Sequence, residues 1–137
     1  MPVHRLTLPV SGPGLHEITG RVTALVRDSE IAEGLCTLFL PHTSASLLIQ
    51  ENADASARRD LEAWLDRLVP EEDVLYTHRS EGPDDMPAHI KAALTAVSLS
   101  IPIAGSELAL GTWQGIYLWE HRRRRGRRDL VVHLAAG

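Results

Sequence analysis

The stretch GLCTLFLPHTSASLLIQENADASARRDLEAWLDRLVP, residues 34–70, decides the fold class. Its first half contains two short apolar segments, 34–41 and 44–51, whose composition and boundary residues are typical of buried strands. Between residues 55 and 68, leucine and tryptophan recur at helical spacing, while most of the charged side chains fall elsewhere. This stretch therefore predicts two strands followed by one amphipathic helix.

Further elements are expected on both sides of this stretch. Alternation of side-chain character predicts a strand at 3–10, and Thr19 can cap a helix that runs to about Asp28. A third helix is expected to start near Asp84 or Asp85, where acidic residues favour a helix N-terminus. Three more strands are predicted late in the chain, at 98–103, 112–121 and 130–135. The sequence thus predicts one α+β domain with a mostly antiparallel sheet and helices on one face.

Composition excludes several classes of protein for this chain of 137 residues. A formal net charge of −4 argues against a general nucleic-acid binder, which carries a basic face. The run RRRRGRR at 122–128 is expected to be a solvated hairpin turn, with contact to phosphate or nucleic acid as the alternative.

No apolar run reaches roughly 18 residues and no signal pattern opens the chain, so no membrane contact and a cytoplasmic location are expected. The single cysteine, Cys36, lies in an apolar run and is expected to be buried.

The segment HRSEGPDDMPAHI, residues 78–90, is rich in potential ligands. Asp85 and His89 are four residues apart, so in a helix they project from one face and can support each other or share a metal. His78 precedes them, and Glu81 lies in the loop between. Imidazole nitrogen with carboxylate oxygen suits zinc or another divalent first-row ion. The alternative is an acidic helix cap flanked by surface histidines.

A second polar segment, PHTSASLLIQENAD at 41–54, places His42, Thr43 and Ser44 directly after a strand. Asn52 and Asp54 follow at the start of a helix, which makes an anion- or hydroxyl-binding corner plausible. The alternative is that the hydroxyl groups form local turn bonds and that Asp54 only caps the helix.

A third segment, GTWQGIYLWEHR at 111–122, ends in Glu120 and His121, which face opposite sides of a strand. Such a strand end can contribute to a site that is built from separate segments. A polar sheet edge is the alternative.

Together, the runs HTSASLLIQENAD, HRSEGPDDMPAHIKAAL and ALGTWQGIYLWEHR resemble the YjbQ-like family, some members of which are labelled secondary thiamine-phosphate synthases. The resemblance extends from about residue 5 to residue 133, with the order and spacing of the runs intact. It implies a compact α+β domain with a sandwich-like sheet, assembled as a homotrimer with sites near the subunit boundaries.

The resemblance also implies a pocket that holds a divalent metal such as zinc. On this chain its ligands would be His78, His89 and His121, with Asp85 in support. Further residues would line the same pocket: His42, Thr43, Ser44, Asn52, Asp54, Glu81, Asp84, Thr112, Gln114 and Glu120. The carboxylates Glu81, Asp84, Asp85 and Glu120 are the candidates for acid and base catalysis, and Thr43 or Ser44 would hold phosphate oxygens.

Two functional hypotheses follow. The first is a metal-dependent enzyme with the activity that the resemblance implies, in which a pyrimidine diphosphate is joined to a thiazole phosphate and pyrophosphate is released. The metal would neutralise the departing pyrophosphate, because a pocket lined by acids would otherwise repel it. The second is a non-catalytic protein that binds a metal or a small phosphorylated metabolite. A purely structural role would require all three polar segments to be caps and turns.

Overall fold

The computed structural model describes residues 3–137, which form eight strands and three helices. The strands are β1 (Val3–Val10), β2 (Gly14–Glu17), β3 (Gly34–Phe39), β4 (Ala45–Glu51), β5 (Ser98–Ala104), β6 (Glu107–Leu108), β7 (Gln114–Glu120) and β8 (Gly126–Ala136). The helices are α1 (Thr19–Ser29), α2 (Ala55–Leu68) and α3 (Asp85–Leu94). The short strands β2 and β6 were not predicted as strands, because segments this brief carry no clear alternation.

The strands form two antiparallel sheets. The larger sheet has the order β1-β8-β3-β5-β6, and the smaller one has the order β2-β7-β4. The main core contains side chains from both sheets and from α1, among them the fully buried Val22, Leu38, Leu47, Leu118 and Leu134. Burial of each such side chain stabilises the fold by about 1.5–3 kcal/mol. The α+β prediction is confirmed, and the two sheets pack as a sandwich.

Helix α2 packs against the smaller sheet through a second apolar cluster. Leu65 lies in one cluster with Leu15, Tyr117 and Trp119, and Ile90 of α3 packs against the same cluster. Helix α1, in contrast, buries side chains in the core between the sheets. The prediction that the helices lie on one face is therefore wrong for α1.

Local signals account for the helix boundaries. The Asp54 carboxylate accepts a hydrogen bond from the Ser56 amide at 2.9 Å, so Asp54 caps α2. The predicted range 55–68 for this helix is confirmed. Thr19 does not cap α1 but is its first residue, because its hydroxyl donates to Glu17 and accepts from the Ile116 amide.

The arginine-rich run is only partly a turn. Strand β8 starts at Gly126, four residues earlier than residue 130, and Arg128 lies on its core-facing side with 3% exposure. The prediction of a solvated turn over the whole run is wrong for Arg128, because the alternation of Leu130, Val132 and Leu134 continues back to it.

Burial of Cys36 is confirmed, and this burial raises the pKa of its thiol to about 11. None of the helices between residues 3 and 137 is both long and apolar enough to cross a bilayer.

Candidate metal centre

Four potential ligands converge where the chain enters α3. One donor atom from each of His78, Glu81, Asp85 and His89 lies within 4.8 Å of the others. Asp85 and His89 share a helix face because they are one turn apart, as the sequence predicts. The preceding loop brings His78 and Glu81 to the same place.

Asp85 is the centre of this group, and it is only 2% exposed. Its Oδ2 atom lies 2.6 Å from Nε2 of His78 and 2.9 Å from Nε2 of His89. Its Oδ1 atom lies 3.0 Å from a guanidinium nitrogen of Arg122. One buried carboxylate therefore holds two imidazole rings and one arginine.

The backbone fixes the orientation and the tautomer of His89. Its Nδ1 atom lies 2.8 Å from the carbonyl oxygen of Thr43, and a carbonyl can only accept, so Nδ1 must carry a proton. In the neutral ring, Nε2 then presents a lone pair to the Asp85 oxygen. Two electron-rich atoms at 2.9 Å repel each other unless a proton or a cation lies between them. Either a second ring proton or a metal ion would satisfy this arrangement, and a histidine oriented by a carbonyl is a common form of metal ligand.

Asp84 and Asp85 both stay ionised. Burial alone would raise the pKa of Asp85, but the hydrogen bond from His78 and the positive charge of Arg122 hold that pKa below its usual range. Burial also opposes ionisation of Asp84, and hydrogen bonds from Arg122 and the Arg123 amide outweigh it, so its pKa is lowered as well. The centre thus offers carboxylate rather than carboxylic acid oxygens at neutral pH.

Glu120 and His121 are placed outside this group of four. Both oxygens of Glu120 bind Arg128, at 2.6 Å and 2.5 Å, inside the protein. His121 points to another face, where its Nε2 atom lies 2.8 Å from Ser46 Oγ and its ring lies 5.4 Å from that of Trp119. Burial, followed by the nearby charges of Lys91 and Arg128, lowers the pKa of His121 to about 3.

The residues predicted to bind substrate fall into two separate groups. The first is near the centre: Thr43 holds His89, Ser44 Oγ accepts from Arg128 at 2.9 Å, and His42 accepts from the Asp129 amide at 2.9 Å. Burial is the main cause that lowers the pKa of His42, and the charge of Arg128 adds to it.

The second group lies at the far end of the smaller sheet. It comprises Asn52, Asp54, Thr112 and Gln114. The register pairs Ala45 with Glu120 but Glu51 with Gln114, so six residue steps, or roughly 20 Å of strand, separate the two ends. Within one chain, the structure therefore does not bring the two groups into one pocket.

Sequence reasoning missed Arg122 as a functional residue. Its guanidinium lies 3.2 Å from Asp84 and 3.0 Å from Asp85, and it donates to the carbonyl of Glu81 at 2.7 Å. The available signal was its position directly after the Glu120–His121 strand end.

Comparison with known proteins supports the resemblance stated above. The family model described as UPF0047 protein YjbQ-like matches residues 4–137. The chain belongs to this family. A UPF0047 protein of Synechocystis is 49% identical over 130 residues, which span 95% of this chain and 88% of that protein. The UPF0047 protein YjbQ of Salmonella typhimurium is 43% identical over 94% of each chain.

Solved structures share the family fold. A YjbQ/UPF0047 family protein of Clostridium acetobutylicum superimposes with a TM-score of 0.87 at 34% identity, covering 96% of this chain and 99% of its own. A conserved hypothetical protein of Thermus thermophilus gives 0.85 at 34% identity with the same coverage. A protein of Aeropyrum pernix, at 22% identity and a TM-score of 0.89 with full coverage of both chains, supports the fold alone.

Proposed function

We propose that His78, Glu81, Asp85 and His89 bind a divalent metal such as zinc, and that the protein is a metal-dependent enzyme. The observation that carries this proposal is the pair of imidazole Nε2 atoms that converge on one oxygen of buried Asp85. The donors fit the ion, since neutral imidazole and carboxylate oxygen are common zinc ligands. The resemblance implied His121 as the third histidine ligand, and Glu81 is proposed in its place.

The proposed reaction is of the thiamine-phosphate synthase type, with a small phosphorylated metabolite as substrate. When bound, the metal would neutralise charge on the departing pyrophosphate. Arg122 supplies a fixed positive charge beside the same carboxylates, and its own contacts hold it in place. Thr43 orients His89 through its carbonyl group and leaves its hydroxyl for a phosphate oxygen. The proposed setting is the cytoplasm, which suits a single buried thiol.

Removing one ligand is expected to abolish tight metal binding. His89→Ala should weaken zinc affinity by about 100-fold or more, because it removes a donor that the Thr43 carbonyl orients in advance. Calorimetric titration of zinc into protein treated with a chelator measures the effect. The control is His133→Ala, which removes an exposed histidine of β8. Equal zinc affinity in both variants would show that the cluster is not the metal site.

Turnover separates the enzyme from the non-catalytic alternative. A thermal-shift screen of phosphorylated metabolites, with and without zinc, identifies ligands without a prior guess at the reaction. Metal-dependent product formation from any hit supports the enzyme. Binding of hits with no product in any combination would instead favour a metal- or metabolite-binding protein.

Self-association as a homotrimer is also proposed. On β3, Leu35 and Phe39 are 41% and 47% exposed, and they alternate with the buried Cys36 and Leu38. They therefore lie on the open face of the larger sheet, where β3 is a central strand between β5 and β8. A second copy of the chain is the partner proposed for this face, which the resemblance independently favours.

Phe39→Glu is expected to shift the protein from trimer to monomer, because a charge would have to be buried at the contact. At least a tenfold rise in the dissociation constant should appear in sedimentation equilibrium. Trp64→Glu is the control, since Trp64 is 54% exposed on α2, away from this face. A wild-type protein that sediments as a monomer at micromolar concentration would contradict the assembly.

A further inference from the structure

Two adjoining cavities lie between α2, α3 and the strand end that carries His121. Their volumes are about 320 Å³ and 210 Å³, and both are lined by Pro13, Asp66, Lys91 and His121. Asp84 lines the larger cavity, whereas its neighbour Asp85 belongs to the metal centre. The larger cavity falls within the range of about 300–1,000 Å³ that is typical of small-molecule sites. The metal proposal uses none of the four residues that the cavities share.

Ser46 fixes the tautomer of His121. Ser46 is completely buried, and among residues 3–137 its hydroxyl contacts only Nε2 of His121, at 2.8 Å. A buried hydroxyl must place its proton on an acceptor, so Ser46 donates to Nε2. The neutral ring then carries its own proton on Nδ1. Because the imidazole covers the serine, this pair cannot act as a serine nucleophile and its base.

The Nδ1–H group of His121 faces the cavities. His121 is only 6% exposed, and Nδ1 makes no hydrogen bond to any residue in the described chain. Within residues 3–137, no fully enclosed side-chain nitrogen or oxygen lacks a partner, so Nδ1 must reach open space. The cavities are the open space that the residue lines. The Nδ1–H group of His121 is therefore a nearly buried donor with no acceptor among residues 3–137.

Lys91 adds a positive charge to the same space. It is the single lysine of a chain with thirteen arginines, and only 12% of its side chain is exposed. Its Nζ atom lies 2.5 Å from Asp66, whose side chain is 70% exposed. Arg123 lines the larger cavity and contacts the carboxylate of Glu71, which lines it too. The other carboxylates of the two linings also have partners in the protein: Asp84 has Arg122, Glu120 has Arg128, and Glu62 accepts from the Leu15 amide. The cation of the Lys91 pair is thus held inside, whereas its anion is at the surface and can be replaced.

We infer that this cavity binds the phosphate group of a small molecule, with Nδ1–H of His121 and Nζ of Lys91 as donors. The ligand phosphate displaces the Asp66 carboxylate from Lys91, and Arg123 adds a second cation at the cavity wall. The site can be tested without the proposed metal, because it shares no ligand with that centre.

Inorganic phosphate is the probe, titrated by calorimetry into the full-length protein with a chelator present. His121→Gln keeps a partner for Ser46 but removes the Nδ1 donor, and it should weaken phosphate binding about tenfold. Lys91→Met should weaken binding by at least as much. His121→Asn, which retains an amide donor near the position of Nδ1, should bind more tightly than His121→Gln.

The sharpest comparison removes a competing carboxylate. Asp66→Asn should strengthen phosphate binding, because the Asp66 carboxylate then no longer competes with phosphate for Lys91. Asp60→Asn is the matched control on the same helix, since it makes the same change of net charge at an exposed position. Asp66 is itself largely exposed, so folding of this variant is not at risk.

Two results would overturn the site. One is phosphate affinity that His121→Gln and Lys91→Met leave unchanged. The other is an Asp66→Asn variant that binds phosphate no better than Asp60→Asn. Both measurements exclude metal, so they stand whether or not zinc binds at the other centre.

Discussion

Arg128→Ala is expected to lower the free energy of unfolding by about 3–5 kcal/mol, because it leaves the Glu120 carboxylate buried without its counter-charge. The two side chains are 3% and 0% exposed, and two hydrogen bonds join them. The Ser44 hydroxyl also loses the donor that it accepts from at 2.9 Å. Since domains are typically stable by about 5–15 kcal/mol, the loss should be plain in urea unfolding curves.

Arg127→Ala is the matched control, because the neighbouring arginine is exposed on the same strand. It should change stability by no more than about 0.5 kcal/mol. Replacing Glu120 and Arg128 together by leucine should cost less than the sum of the single changes, since neither charge is then left alone. An Arg128→Ala variant within about 1 kcal/mol of Arg127→Ala would show that the ion pair is not buried as described.

Acidification is expected to destabilise the protein through His121. The pKa of His121 is about 3 in the folded protein, compared with an ordinary value of 6.5. Below pH 6.5, therefore, this histidine binds a proton in the unfolded chain but stays neutral in the folded protein. The stabilisation is complete above pH 6.5 and is lost progressively as the pH falls toward 3. Between pH 7 and pH 4.5 this amounts to about 2–3 kcal/mol.

His121→Gln should flatten this part of the pH profile while keeping a partner for Ser46. Asp84 and Asp85 do not confuse the comparison, because their lowered pKa values place their own loss of stability below this window. Chemical denaturation of both proteins at several pH values provides the test. Parallel curves for the wild type and His121→Gln would contradict a neutral, buried His121.

The sequence predicts the parts of the fold that local signals control. Helix α2 was located to the residue because its cap and its apolar spacing agree. The start of β8 was missed, because a core-facing arginine interrupts the apolar pattern, and only the position of Glu120 on β7 of the other sheet explains it. A buried partner from another strand cannot be inferred from local periodicity.

In the candidate site, too, local relationships were predicted and long-range ones were not. Asp85 and His89 were paired correctly because a single helical turn relates them. His121 and Gln114 were assigned to one pocket by family resemblance; within one chain, the register between β4 and β7 and the contact of His121 with Ser46 hold them apart from the group of four ligands. Such long-range geometry depends on how the strands pair, which no short segment specifies.

Arg122 connects the proposed metal centre with the cavity beside it. Two carboxylates joined by one peptide bond face different compartments, and a single guanidinium touches both. A cation bound at Asp85 would compete with Arg122 for that carboxylate, and Arg122 would then be held mainly by Asp84 at the edge of the neighbouring cavity. Any coupling that results between the two sites would be reciprocal, with the same factor in both directions.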